Sequence, residues 1–129
     1  MSATQRPLIL ALSDSGLRSV LAAHLSMAGE MPISTADHLD PALGEALRVA
    51  AILIIEEALI ASAPVEWANT LRDQCWSGEL VIIVDQLPAP REEFDGIALV
   101  DRRSAVATVP TLVQEWRSRR ADLDALSGA

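Results

Sequence analysis

Carboxylates recur in this chain where short apolar runs end. Ala51-Ile52-Leu53-Ile54-Ile55 leads into Glu56 and Glu57, and Leu8-Ile9-Leu10-Ala11-Leu12 leads into Ser13 and Asp14. Leu80-Val81-Ile82-Ile83-Val84 ends in Asp85, and Ile97-Ala98-Leu99-Val100 ends in Asp101, followed by Arg102 and Arg103. Runs of this length, apolar throughout, read as strands buried on both faces, as in a parallel sheet with helices on either side. In such sheets ligands bind beyond the carboxyl ends of the strands. The spacing therefore gathers Asp14, Glu56, Glu57, Asp85 and Asp101 into one acidic pocket. Carboxylate oxygens suit a hard divalent cation, Mg²⁺ first, with Asp14 and Glu56 as its candidate ligands. The plain alternative is a set of solvated strand-end acids partly neutralised by Arg102 or Arg103. A third reading pairs Glu56 with Arg102 in imitation of a charged, switched-on state.

The elements that must position these residues alternate. After the first strand, Asp14 or Ser15 can cap a helix carrying Leu17, Val20, Leu21, His24, Leu25 and Ala28, with Gly29 at its end. A weak second strand falls in Met31–Thr35, and Asp40-Pro41 is placed to open a second helix with Leu43, Ala46, Leu47 and Ala50 inward. Ser62-Ala63-Pro64 is placed to start a third helix bearing Val65, Ala68, Leu71 and Cys75, with Gly78 beyond it. The segment Leu87–Gly96 holds two prolines and room for one or two helical turns only. Thr108-Val109-Pro110 opens a last helix with Leu112, Val113 and Trp116 inward, Arg117, Arg119 and Arg120 largely outward, and a frayed tail from about Ala125. Strands alternating with helices imply right-handed crossovers. The expected fold is α/β: a flavodoxin-like, doubly wound, five-stranded parallel sheet of order 2-1-3-4-5, three layers deep, with a shortened fourth helix.

Length and composition set the outer bounds. At 129 residues, half of them hydrophobic, the chain suits one domain (1–129, core about 7–123) and is not disordered. No apolar run is long enough to cross a bilayer, and Met1–Pro7 lacks the features of a secretory leader. One cysteine, Cys75, cannot form an internal disulfide, which agrees with a cytoplasmic location. The net charge of −8 argues against direct nucleic-acid binding. All ten cations are arginine, so chemistry that needs a lysine amine is excluded. No glycine-rich phosphate loop and no nucleophile–histidine pair stands out. His24 reads as a packing histidine, His38 as a loop histidine beside Asp37 and Asp40, and Trp67 and Trp76 as core.

The order of elements, with "LALSDSGLR", "ILIIEE", "VIIVDQ" and "ALVDRRS" at the strand ends, resembles the receiver domain of bacterial two-component response regulators over about Pro7 to Leu123. The resemblance implies a phosphoacceptor position at Glu56, an acidic turn at Ser13-Asp14, a hydroxyl position filled by Asp85 and a switch-lysine position at Asp101 or Arg102. Receivers carry aspartate, Thr or Ser, and lysine at the phosphoacceptor, hydroxyl and switch positions, so the chemistry is replaced. Glutamate is one methylene longer than aspartate, and an ångström-scale misplacement costs about a hundredfold in rate. Asp85 would set a carboxylate where phosphoryl oxygens would lie.

The expectation is a degenerate receiver: a signalling protein–protein interaction module that works without phosphorylation and is not an enzyme. Its partner would be a signalling protein or a second copy in a homodimer, met through Trp116, Arg117 and Arg120 on the last helix. The competing expectation is a small-molecule or divalent-metal sensor, or a small enzyme, using the crevice beyond the strands.

Overall fold

A computed structural model describes residues 6–127, so the Met1–Gln5 stretch read for a leader lies outside the described residues. The chain folds as β1 (Leu8–Ala11), α1 (Ser15–Met27), β2 (Pro32–Ala36), α2 (Glu45–Ala50), β3 (Ile52–Glu56), α3 (Trp67–Asp73), β4 (Leu80–Val84), β5 (Arg91–Phe94), β6 (Ile97–Asp101) and α4 (Ala105–Ser127). Single 3₁₀ turns cover Glu57–Leu59, Pro64–Glu66 and Arg102–Ser104. Among the described residues no helix is long and apolar enough to cross a membrane.

The sheet has six strands in the order β2-β1-β3-β4-β6-β5, with β5 alone antiparallel to its neighbour. Its apolar strands alternate sides. Leu8, Leu10, Ile52, Ile54, Val81, Ile83, Ala98 and Val100 pack under α1 and α4. Ile9, Ala11, Leu53, Ile55, Leu80 and Ile82 pack under the α2/α3 side with Trp67, Leu71 and Trp76. Runs such as LVIIV, buried at every position, are what two covered faces require.

The expected five-stranded order 2-1-3-4-5 is corrected by an inserted strand. The segment expected to form a stunted fourth helix is β5, which crosses past β6 to the sheet edge and returns through the turn Asp95-Gly96. Both turn residues have positive φ, 49° and 76°, as a two-residue type I′ hairpin requires. Pro88 and Pro90 precede the strand and do not interrupt its ladder.

Several helix boundaries also move. Asp40 caps only a turn, accepting from the Ala42 N–H at 2.9 Å, and α2 starts at Glu45 after the extended Gly44. Val65 is 84% exposed, and Trp67 instead carries the inward face of α3. That helix ends at Asp73, and Cys75, not Gly78, is the residue that turns the chain away. Cys75 takes φ 73°, and the Trp76 N–H reaches back to the Leu71 carbonyl at 3.0 Å, closing a Schellman turn over two buried side chains. Gly78 serves another purpose: a Cβ there would lie 2.4 Å from the Ala51 carbonyl oxygen. The last helix opens at Ala105, ahead of Thr108, contains Pro110 in its body and runs to Ser127 through the expected frayed tail. His24 is exposed, on the outer side of α1, and Cys75 is half-buried.

Candidate functional site

Parallel pairing sets the strand ends side by side. Register matches Ala11 with Ile55, Glu56 with Ile83, and Val84 with Asp101, so the residues just beyond share one rim. Glu56 closes β3 inside the protein, 1% exposed. A carboxylate so buried has to be paired or hydrogen-bonded to stay ionised. The β1–α1 turn supplies part of the need: the Ser13 N–H and the Ser13 hydroxyl both donate to Glu56 Oε1. Arg102 supplies the rest, its Nη2 donating to Glu56 Oε2 at 2.8 Å.

The same guanidinium reaches two further acids. Its Nε donates to Asp85 Oδ1 at 2.8 Å, and its Nη1 lies 3.4 Å from Asp14 Oδ2. One planar cation thus ties the ends of β1, β3 and β4 to the start of the turn after β6. Arginine suits this because its donors diverge in a fixed fork, which a lysine ammonium lacks. The contacts are unequal in worth. The Asp85 side chain is largely exposed, so its ion pair contributes little, whereas the Glu56 pair is screened from water.

Burial alone would push the Glu56 carboxyl up. The Ser13 hydroxyl and Arg102 hydrogen bonds, the Ser13 N–H and the Arg102 charge together outweigh it, holding the group below its ordinary value. Reciprocally, the hydrogen bond to Glu56, ahead of the Asp85 contacts and against burial, raises Arg102.

The other expected pocket acids are spent locally. Asp14 Oδ1 caps α1 through the Leu17 N–H at 3.1 Å. Glu57 Oε2 accepts from the Asp85 N–H at 2.7 Å and so fixes the β4 exit. Asp101 is not a member of the pocket, which corrects its expected place. It is 3% exposed and accepts from the Leu87 N–H and from the Arg103 N–H, both at 3.1 Å, pinning the β4–β5 loop and the turn into α4.

The divalent-cation reading of Asp14 and Glu56 does not fit these partners. Both Glu56 oxygens are taken by Ser13 and Arg102, and the positive charge a metal would bring is already present as the guanidinium. Among the described residues no group of three or more His, Cys, Asp or Glu side chains is arranged to hold a metal. An open cleft of about 590 Å³ adjoins the cluster, lined by Asp85, Gln86, Leu87, Pro88 and Arg103.

The expected last-helix interface is largely internal. Trp116 is 7% exposed and belongs to the core under α1 and α4. Arg117 turns inward to Glu30, which is 5% exposed. Its Nε lies 2.9 Å from both carboxylate oxygens, and its Nη2 donates to the Arg6 carbonyl at 3.0 Å. Arg120 is on the exposed side, near Arg119, which lies 3.8 Å from Glu93. His38 pairs with Asp37 at 2.8 Å in an exposed turn.

Sequence reasoning missed Ser13 as a Glu56 donor, the Glu57 bond to the β4 exit and the Glu30–Arg117 pair. A signal for Ser13 existed, since a hydroxyl and a free N–H directly follow a buried strand adjoining β3. The Glu30–Arg117 pair joins residues far apart in sequence and left no local trace. No protein-family model, no curated protein and no solved structure matches this chain.

Proposed function

We infer that this chain is a receiver-like, flavodoxin-like domain of the cytoplasm that acts as a phosphorylation-independent module for protein–protein interaction in signalling. One observation carries the reading: the Arg102 guanidinium bridges Glu56, Asp85 and Asp14 at the carboxyl end of the sheet. Acyl-phosphate chemistry at this end needs an accessible carboxylate, a cation to offset the phosphoryl charge and room for its oxygens. Glu56 is buried, both its oxygens accept hydrogen bonds, and Asp85 adds a further carboxylate to the rim beside Arg102. Arg102 supplies the cation permanently from within the chain. The domain is therefore read as fixed in one state, its rim held by an internal ion pair where a receiver would be switched.

Incubation with acetyl phosphate and Mg²⁺, followed by intact mass, tests this. The expected spectrum is unchanged. A gain of one phosphoryl group that disappears in Glu56→Gln would overturn the reading.

A further inference from the structure

Exposed carboxylates surround this acidic chain on every side but one. Asp14 and Asp85 stand at the strand-end rim, Glu92 and Glu93 on the β5 edge, and Glu45 and Glu66 beside α2 and α3. Among the described residues, the outward side of α1 and of the part of α4 alongside it has none. Helix α1 holds no acid and one arginine, Arg18, which folds back to the Leu12 carbonyl at 2.7 Å. On α4 the exposed residues next to it, Ala107, Thr111, Gln114 and Ser118, are uncharged. Gln114 Nε2 donates to the Ala28 carbonyl at 3.2 Å, so the two helices present one continuous surface. Glu115 and Arg119 turn away from it to Arg91 and Glu93 on β5, and Arg117 turns to Glu30.

A stripe along α1 is apolar. Gly16, Val20, Ala23 and Met27 are all exposed and follow one another at intervals of four, three and four residues, which keeps them on one line of the helix. Val20 is 46% and Met27 77% exposed. Two of these residues are small and two are large, in an order that complements itself. Laying one α1 antiparallel on another about the midpoint of the stripe sets Met27 against Gly16 of the second copy and Val20 against its Ala23. A large side chain then meets a small one at every level. Gly16 answers no need within its own chain: its φ is not positive, and a Cβ there would meet only Asp14 Oδ1, at an ordinary 3.5 Å. Glycine weakens a helix, so the requirement it meets lies outside the fold.

We propose that two copies of this chain associate through the α1/α4 face, about a twofold axis near the middle of the α1 stripe. Charge selects a second copy as the occupant. At a net charge of −8 two copies repel, and on this surface they meet without opposing carboxylates. A strongly basic or acidic partner would find no counter-charge here. A twofold interface also needs groups that pair with their own kind. The hydroxyls of Ser19 and Ser26, on the same outer side of α1, both donate and accept hydrogen bonds, whereas a carboxylate would meet its like. Two helices side by side offer a footprint of about 20 by 20 Å, smaller than the about 800 Å² a side of a standard interface, so the dimer is expected to be weak and concentration-dependent.

This surface deepens the reading of the chain as an interaction module by naming a second copy as the partner, and it rests on that reading only for the class of partner. Sedimentation of the whole ¹⁵N-labelled chain from micromolar to millimolar concentration, with amide spectra over the same series, tests it. The expected result is a mass rising from one chain to two, not weakened by added salt, with shifts centred on Gly16, Val20, Ala23 and Met27. Val20→Glu sets like charges into the contact and should weaken association about tenfold or more. Phe94→Ser, on the far edge of the sheet, should leave it unchanged. Gly16→Gln should raise the urea midpoint of the dilute, single chain while weakening association, a split that a merely structural glycine would not produce. These positions are exposed, so the variants keep the fold, checked by their spectra. A single-chain mass at millimolar concentration, a dimer that salt dissociates, association undiminished in Val20→Glu or Gly16→Gln, or shifts on another face would each overturn the proposal. Such a failure leaves the phosphorylation-independent reading intact, because phosphodonor labelling does not depend on this stripe. Labelling of Glu56 would conversely remove that reading and leave this surface standing.

Discussion

Replacing Arg102 with alanine isolates what the guanidinium does. In the native protein the Glu56 side chain is 2% exposed and is held ionised by Arg102 at 2.8 Å and by Ser13. Removing one partner of a buried pair costs about 3–5 kcal/mol because it leaves an uncompensated charge. Ser13 keeps its two donations and Arg102 is itself a quarter exposed, so about 2–4 kcal/mol is expected here at neutral pH. Loss of the Asp85 contact adds little.

The cost should depend on pH in a defined sense. Native Glu56 has a depressed folded-state value, so its stabilisation is full above the unfolded carboxyl value of about 4.3 and is lost as pH falls through the folded one. In Arg102→Ala the guanidinium's hydrogen bond and charge are gone and Ser13 alone opposes burial, so the folded value should rise relative to the native protein and the stabilisation present near neutrality should shrink. The gap between the two proteins should therefore be widest near neutrality and narrow toward pH of about 4. Urea unfolding of both proteins across that range, compared at constant m-value, measures it. A difference below about 1 kcal/mol, or one that does not change with pH, would refute the argument that Arg102 compensates a buried charge.

Other expectations follow from single contacts. Arg117→Ala strips the partner from buried Glu30 and should lower stability by about 3 kcal/mol in urea, whereas Arg119→Ala, whose contact with Glu93 is long and exposed, should cost under about 0.5 kcal/mol. Gly78→Ala would bring a Cβ to 2.4 Å from the Ala51 carbonyl oxygen and should cost about 2–3 kcal/mol or more, seen as a lowered denaturation midpoint. Cys75→Gly relieves a positive φ at the end of α3 and should raise that midpoint, by about 0.5–1 kcal/mol in stability.

Much of the fold was legible because its strands are apolar at every position, a pattern that parallel sheets covered on both sides impose. The strand ends, and with them Asp14, Glu56, Asp85 and Arg102, could be placed from that pattern alone. The β5 strand could not. Arg91-Glu92-Glu93-Phe94 shows no alternation because its two faces meet α4 charges on one side and open surface on the other. Asp95-Gly96 was its one clear signal, a pair that suits the type I′ turn. Helix starts moved where a polar side chain caps a turn, as Asp40 does, or where a 3₁₀ turn precedes the helix, as at Pro64 and Arg102. Within the site, residue types suggested a field of carboxylates, but only three-dimensional geometry reveals that a single arginine answers three of them and that Asp101 faces elsewhere.

The central claim is that Arg102 stands as the built-in cation of this strand-end crevice. Titration of Mg²⁺ into the ¹⁵N-labelled native chain and into Arg102→Ala, followed at the amides of Ser13, Glu56, Asp85 and their neighbours, tests it most directly. The account predicts no saturable shift in the native protein and a saturable one in the variant, where Asp14, Glu56 and Asp85 lose their shared guanidinium. Saturable binding at those amides in the native protein, unchanged or weakened by Arg102→Ala, would contradict it.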